Sequence, residues 1–357
     1  MTLIIFILIL SVLVFIHELG HFIAAKRAGI LVEEFGFGLP PRIWGKKVGE
    51  TIYSINALPI GGFVKLFGED GAASVKTSAS QGRAFYEKSL LRRFYVLIGG
   101  VTMNVLLAVV VFSVLYFIYG IPTKTGEIQI VAVSENSPAS EIGLKAKDKI
   151  VSVDNQKFSN IEEFIDYTTL RAGEEVELVI ARENESQVYR ITPRKEPPQG
   201  EGPLGVAISD TELKKYPVWQ MPYLGVREGF RESVAWGKMI LVSLRDNVVL
   251  KLARGEAPSK DLAGPVGIYQ ITGQVKEAGF LALLQFLGIL SVNLAIINIL
   301  PFPALDGGRL VFLGYEAVFR KKVSPKIEVW ANTAGMVLLL AFMLLITVND
   351  IVRLVRN

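Results

Sequence analysis

The chain has 357 residues, of which 51% are apolar, and a net charge of only +4. Its mean hydropathy is positive; so apolar a composition calls for several membrane spans, and so small a charge leaves no nucleic-acid footprint. There is no cysteine, which excludes disulfides, thiolate metal sites and cysteine nucleophiles, and the two histidines, His17 and His21, must carry any imidazole chemistry.

A membrane-crossing helix needs about 20 predominantly apolar residues. Four stretches qualify, at 3–25, 94–119, 280–300 and 331–348. The first is interrupted by His17, Glu18 and His21. It lacks the basic n-region of a signal peptide and runs straight into a charged cluster, so it is read as a retained span. Between the first two spans stand Lys26, Arg27, Arg42, Lys46, Lys47, Arg92 and Arg93; between the last two stand Arg309, Arg320, Lys321, Lys322 and Lys326. The excess of cations assigns both segments to the cytoplasmic side and the long segment between the second and third spans, with both termini, to the outside. Arg353 and Arg356 pull the other way.

The outer segment opens with a module expected over 125–196. Apolar residues alternate at Ile128, Ile130 and Ala132, at Val151 and Val153, and at Val176, Leu178 and Ile180, which reads as strands. A helix is expected over 161–170 behind Ser159 or Asn160 as its cap, and Asp154-Asn155 marks a turn. Lys195 to Gly200, rich in proline, reads as a linker. The rest of 197–279 holds an amphipathic stretch, 234–253, whose Lys238, Arg245, Asp246 and Lys251 predict a helix lying on the membrane surface. The expected fold is an α-helical polytopic membrane protein with four transmembrane helices, its core split into 1–119 and 280–357 around an inserted, mostly β domain.

The first span carries His17-Glu18-Leu19-Gly20-His21. Positions i and i+4 share one helical face, so both imidazoles can reach one tetrahedral metal, and Glu18 lies where it can take a proton from an activated water. Ionisable groups at membrane depth are costly and face a cavity or a partner; a zinc ion gives these three a reason. A catalytic zinc takes three protein ligands, and with no third histidine and no cysteine the last must be a carboxylate. Asp306 follows the third span directly, and the first and third spans run parallel, so Asp306 and His21 reach the same side of the membrane. The alternative for Asp306 is a turn or cap before Gly307-Gly308. Pro301 and Pro303 break the third helix at depth, which is tolerated where backbone lines a cavity. Asn298 can hold an oxyanion or the substrate backbone, or else make an interhelical contact.

With these residues in place the sequence resembles the site-2-protease family of intramembrane zinc metalloproteases, most closely the bacterial regulator-of-sigma-E protease branch. His17, Glu18, Gly20 and His21, followed by Phe35-Gly36-Phe37-Gly38, match its first motif; Asn298, Pro301, Pro303, Leu305, Asp306 and Gly307 match its second. The resemblance implies Zn2+ held by His17, His21 and Asp306, Glu18 as catalytic base, and Asn298, Pro301 and Pro303 on the substrate. Pro59 to Lys65 resembles the family's cytoplasmic membrane-associated β-loop, expected over 52–67, where Gly61, Gly62, Phe63 and Val64 would extend a helical substrate as an added strand; an ordinary hairpin is the alternative. Ser137-Pro138-Ala139, Gly143-Leu144-Lys145 and Asp148-Lys149-Ile150 resemble a PDZ domain, which binds peptide ends, and Gly264 to Ile268 matches a segment before the third span. Where the family often has Gly-Pro at the start of the second span, Val101 follows Gly100 here, with Asn104 in its expected place. The resemblance implies regulated proteolysis of single-pass membrane proteins, anti-sigma factors or signal-peptide remnants, in contact with membrane lipid in a bacterial inner membrane. A catalytically silent PDZ-containing adaptor or chaperone is the leading alternative, and intact Glu18 speaks against it; a metal transporter would need more acidic residues along its path.

Overall fold

A computed structural model describes residues 1–69, 82–183, 185–198, 200–256 and 263–356. The chain divides into two compact units, one made of Met1–Tyr116 with Pro222–Asn357 and the other of Phe117–Met221.

Four helices of the first unit are long and apolar enough to cross a membrane. These are α1 (Thr2–Arg27), α2 (Leu90–Tyr119), α8 (Phe280–Ile299) and α10 (Pro325–Arg356). Each agrees with an expected span, and α10 extends well past 331–348 at both ends. The third stops for a local reason. Leu300 precedes Pro301, whose ring disfavours helical backbone at the residue before it, and Leu300 accordingly takes φ −59° and ψ 141°. Helices α1 and α2 approach closely where a Cβ on Gly20 would lie 2.2 Å from the Gly99 carbonyl oxygen. Without a hydrophobic drive between helices in lipid, such small residues let backbones pack directly. Helix α2 meets α8 through Ala108, Val111, Phe112, Leu115 and Val292, and the Ser291 hydroxyl donates to the Asn104 carbonyl at 2.8 Å.

Two long strands, β1 (Val32–Val48) and β2 (Thr51–Leu66), pair around a turn at Gly49. Phe35 faces Val64 on one side and Tyr53 on the other, and Tyr53 in turn faces Lys46. The two strands thus fold into a layer with residues 62–66 along one margin. The layer is fixed to α1 by the Ser11 hydroxyl, which donates to the Pro59 carbonyl at 2.6 Å, and by Phe15 and Phe22 against Phe35.

The amphipathic stretch expected on the membrane surface behaves differently. Helix α5 (Met221–Leu244) starts earlier and continues through a π-turn at Arg245–Val249 into α6 (Leu250–Ala253). It packs lengthwise on the spans: Gly225 and Gly229 lie against Ser113 of α2, and Gly237 against Val292 and Ile296 of α8. The glycines permit the approach, and Glu232 is satisfied there by the Tyr116 hydroxyl at 3.0 Å and the Trp236 indole at 2.9 Å. Helix α7 (Pro265–Glu277) begins at the Gly264-Pro265 step, where the buried Asp350 carboxylate accepts from the Gly264 and Gly267 amides at 3.0 and 2.8 Å. Helix α9 (Asp306–Phe319) joins α8 to α10.

The second unit is an antiparallel sheet of order β6-β5-β4-β3-β7, with β3 Ile121–Val133, β4 Lys149–Val153, β5 Val176–Arg182, β6 Glu185–Ile191 and β7 Val206–Lys214. Helices α3 (Pro138–Glu141) and α4 (Ile161–Leu170) complete it, the second capped by the Asn160 side chain, which accepts from the Glu163 amide. Ile128, Ile130, Val153, Phe164, Leu178 and Ile180 form its core. Two expectations change. A register shift between Ile150 and Ser152 turns Ile150 and Val153 inward and leaves Val151 36% exposed, so the even alternation fails within β4. Strand β7 pairs with β3 beyond the proline-rich stretch, so the sheet runs past the boundary expected at 196.

Candidate metal centre

Helix α1 presents His17, Glu18 and His21 within one turn, with His17 and His21 only 6% and 7% exposed. Asp306 arrives from the far side of the sequence. After α8 ends, the chain passes through Ala304 at φ +75° and starts α9 at Asp306 itself. Asp306 Oδ2 lies 3.1 Å from both His17 Nε2 and His21 Nε2, which are 3.2 Å apart. A tetrahedral zinc with bonds of about 2.0–2.1 Å holds its ligand atoms about 3.3 Å from one another. The triangle fits such an ion, and its three lone-pair donors repel unless a proton or a cation lies between them. The arrangement leaves a fourth position toward a cavity. Burial pushes the Asp306 carboxyl up, and the hydrogen bonds of the two imidazoles outweigh that, so it is held below the usual carboxylate range.

That cavity has a volume of about 430 Å³. Its walls include Glu18, Phe63, Val64, Asn298, Glu69 and Arg309 beside the three ligand candidates. The Glu18 carboxylate accepts the Val64 amide hydrogen at 3.0 Å, which ties the helix to the 62–66 margin. Arg309, one turn past Asp306, donates to Glu69 just beyond the end of β2.

Of the residues singled out in the sequence, His17, Glu18, His21, Asp306, Asn298, Phe63 and Val64 all meet in this cavity. Gly61, Gly62, Pro301 and Pro303 are not among its lining residues. Gly61 packs on Val14, Gly62 on Phe15 and the Gly36 carbonyl, and Pro303 beneath Gly335 of α10, where a Cβ on Gly335 would lie 2.5 Å from it. They shape the neighbouring chain instead of facing the space. Pro301 is exposed.

Sequence reasoning missed part of the site. His21 Nδ1 lies 2.9 Å from the Val96 carbonyl oxygen, and His17 Nδ1 lies 3.2 Å from the Asn104 side chain. A Cβ on Gly100 would come within 2.5 Å of His21 Nε2 and 2.8 Å of His17 Nε2. Helix α2 is therefore the floor of the centre. The available signals were the Gly99-Gly100 pair inside a span and Asn104, in the place the family resemblance gives it. Arg309 could be found by its place one turn from Asp306; nothing in the sequence points to Glu69.

Residues 5–342 match the model of peptidase family M50. A chain of Clostridium perfringens is 37% identical over 345 residues, covering 96% of each. The zinc metalloprotease RasP of Oceanobacillus iheyensis is 32% identical over 432 residues, and the regulator of sigma-W protease RasP of Bacillus subtilis 30% over 431, each alignment covering 99% of both chains. Among solved structures, the PDZ domain of an SdrC-like protein from Listeria innocua is 26% identical, covering 25% of this chain and 99% of that one, with a TM-score of 0.22. The histidine pair, the carboxylate across the cavity and the four apolar helices thus belong to a multi-pass membrane zinc metalloprotease, and the chain is a member of peptidase family M50, the site-2 protease family.

Proposed function

We propose that His17, His21 and Asp306 hold the zinc, that Glu18 is the catalytic base, and that the enzyme cuts single-pass membrane proteins, of the anti-sigma-factor or signal-peptide-remnant type, near the cytoplasmic face. The observation that carries this is the shared cavity: the metal triangle, the carboxylate of Glu18 and the 62–66 margin all open onto it. His17 lies about 22 Å along a helix of about 39 Å at 1.5 Å per residue, past its midpoint toward the end that carries Lys26 and Arg27. The cation-rich segments at that end support the cytoplasmic side of a bacterial inner membrane.

A zinc ion bound there supplies Lewis-acid polarisation of a peptide carbonyl and of the attacking water. Glu18 accepts the proton of that water and returns it to the leaving nitrogen. The Val64 amide holds the Glu18 carboxylate on the cavity wall. Asn298, on the opposite helix, offers its amide to the developing oxyanion or the substrate backbone. A helical substrate hides its carbonyls in hydrogen bonds; laid as a strand against 62–66, it exposes them. Gly61 and Gly62 let that margin lie flat on α1, and Phe63 and Val64 meet the substrate. The unit over residues 117–221 serves as an outward-facing PDZ domain that receives peptide ends.

Zinc content of the purified protein in detergent tests the metal assignment: one zinc per chain in the wild type, lost in His21→Ala, supports it, and none in either refutes it. Glu18→Gln should abolish cleavage of a single-pass substrate while zinc content stays at one per chain. Undiminished cleavage by that variant removes Glu18 from the chemistry.

A further inference from the structure

We infer that Asn104 is the positioning residue of His17, its side-chain oxygen accepting from His17 Nδ1–H when zinc is bound. This rests on the zinc assignment to His17 Nε2 and extends it to the next layer of groups.

A neutral imidazole that gives Nε2 to a metal carries its proton on Nδ1, and that proton needs an acceptor. His21 has one that can only accept, the Val96 carbonyl at 2.9 Å. His17 is served differently. Among the described residues the polar partner of its Nδ1 is Asn104, with Nδ2 at 3.2 Å. Asn104 is fully buried, and its Oδ1 has no partner. Either end of a side-chain amide can stand beside Nδ1, the oxygen against an N–H and the NH2 against a bare nitrogen. With zinc on Nε2, Nδ1 would carry the imidazole proton, and the Asn104 amide oxygen is the acceptor within reach. The Asn104 backbone is fixed, its carbonyl held by the Ser291 hydroxyl at 2.8 Å.

The chain has two histidines, so 15N-histidine labelling shows two imidazoles. The nitrogen spectrum of the zinc-loaded full chain in detergent should show both His17 and His21 protonated on Nδ1. Competition with a chelator should show zinc affinity falling roughly 10- to 100-fold in Asn104→Ala and staying within a few-fold of wild type in Asn104→Asp, which offers an acceptor. An unprotonated His17 Nδ1 in the zinc-loaded wild type overturns the inference, as does equal loss in Ala and Asp variants that melt like the wild type. Wild-type protein whose imidazole nitrogens do not respond to zinc at all would instead fail the zinc assignment.

Discussion

Gly100→Ala tests whether α2 shapes the metal centre. The added methyl would stand 2.5 Å from His21 Nε2, 2.6 Å from His17 Cε1 and 2.8 Å from His17 Nε2, whereas ordinary contact begins at 3.4 Å. Both rings must therefore retreat by more than half an ångström, and a metal site tolerates about 0.2 Å in its bond lengths. Neither helix can absorb the shift alone, because Gly20 of α1 and Gly99 of α2 are already in backbone contact. Since disturbing a single group behind a ligand costs 10- to 100-fold in metal affinity, displacing two ligands should cost at least about 100-fold, or about 2.8 kcal/mol at 1.4 kcal/mol per decade. Overpacking at the crossing should remove a further 1–3 kcal/mol or so of stability. The assay is zinc competition against a calibrated chelator, beside thermal unfolding with excess chelator. Gly314→Ala on α9 is the control, because a Cβ there meets nothing within 4 Å; it should leave zinc binding unchanged and gain about 0.5–1 kcal/mol in helix stability. A Gly100→Ala protein that binds zinc like the wild type would refute the placement of α2 beneath the histidines.

The other predictions concern supports of the two units. Gly335→Val should push on Pro303, whose Cβ and carbonyl oxygen lie 2.5 and 2.6 Å from the new Cβ, and so displace the turn that delivers Asp306; zinc affinity should fall tenfold or more, and an unchanged value would free that turn from α10. Asn332→Ala removes the acceptor of the Ala304 amide at 3.3 Å and should give a smaller loss in the same assay. In the second unit the buried Asp148 accepts from Arg182 Nε and Nη2 at 2.7 and 2.6 Å and from the Lys145 amide at 2.8 Å. Arg182 first, and the Lys145 amide after it, hold that carboxyl below its ordinary value against the pull of burial. The unfolded chain therefore takes up the proton first as pH falls: the stabilisation is complete above about pH 4 and is lost below it, through the folded value. Hydrogen exchange over residues 117–221 should loosen only in that acid range. Asp148→Asn should cost about 2 kcal/mol at neutral pH and flatten the acid dependence; a variant as acid-sensitive as the wild type would assign the effect elsewhere.

What could be read in advance depended on how each residue acts. The four spans were legible because membrane helices announce themselves by composition, and α4 because Asn160 and an amphipathic run mark its start and face. Asp306 was legible through topology: two parallel spans ending on one side leave few carboxylates in reach. Strand β4 was misread within its own length because a register shift is set by its partner β5 and not by its own apolar pattern. Strand β7 was overlooked because Val206 to Ile208 is too short a run to outweigh the prolines before it. Helix α5 was assigned to the surface from its charges, yet Gly225, Gly229 and Gly237 decide its packing by having no side chain.

The same distinction runs through the metal centre. His17, Glu18, His21 and Asp306 are proposed to act through their side chains, so spacing and type single them out. The groups that hold them in place are mostly backbone or absence: the Val96 carbonyl behind His21, the Val64 amide on Glu18, the empty flank of Gly100 under both rings. Every residue has a carbonyl and nearly every residue an amide, so no pattern of letters marks the one that is used. Asn104 is the exception, a side chain in that supporting layer and buried completely. With its oxygen toward Nδ1, Asn104 would do for His17 what the Val96 carbonyl does for His21, and as a side chain it can be tested by substitution where a backbone group cannot.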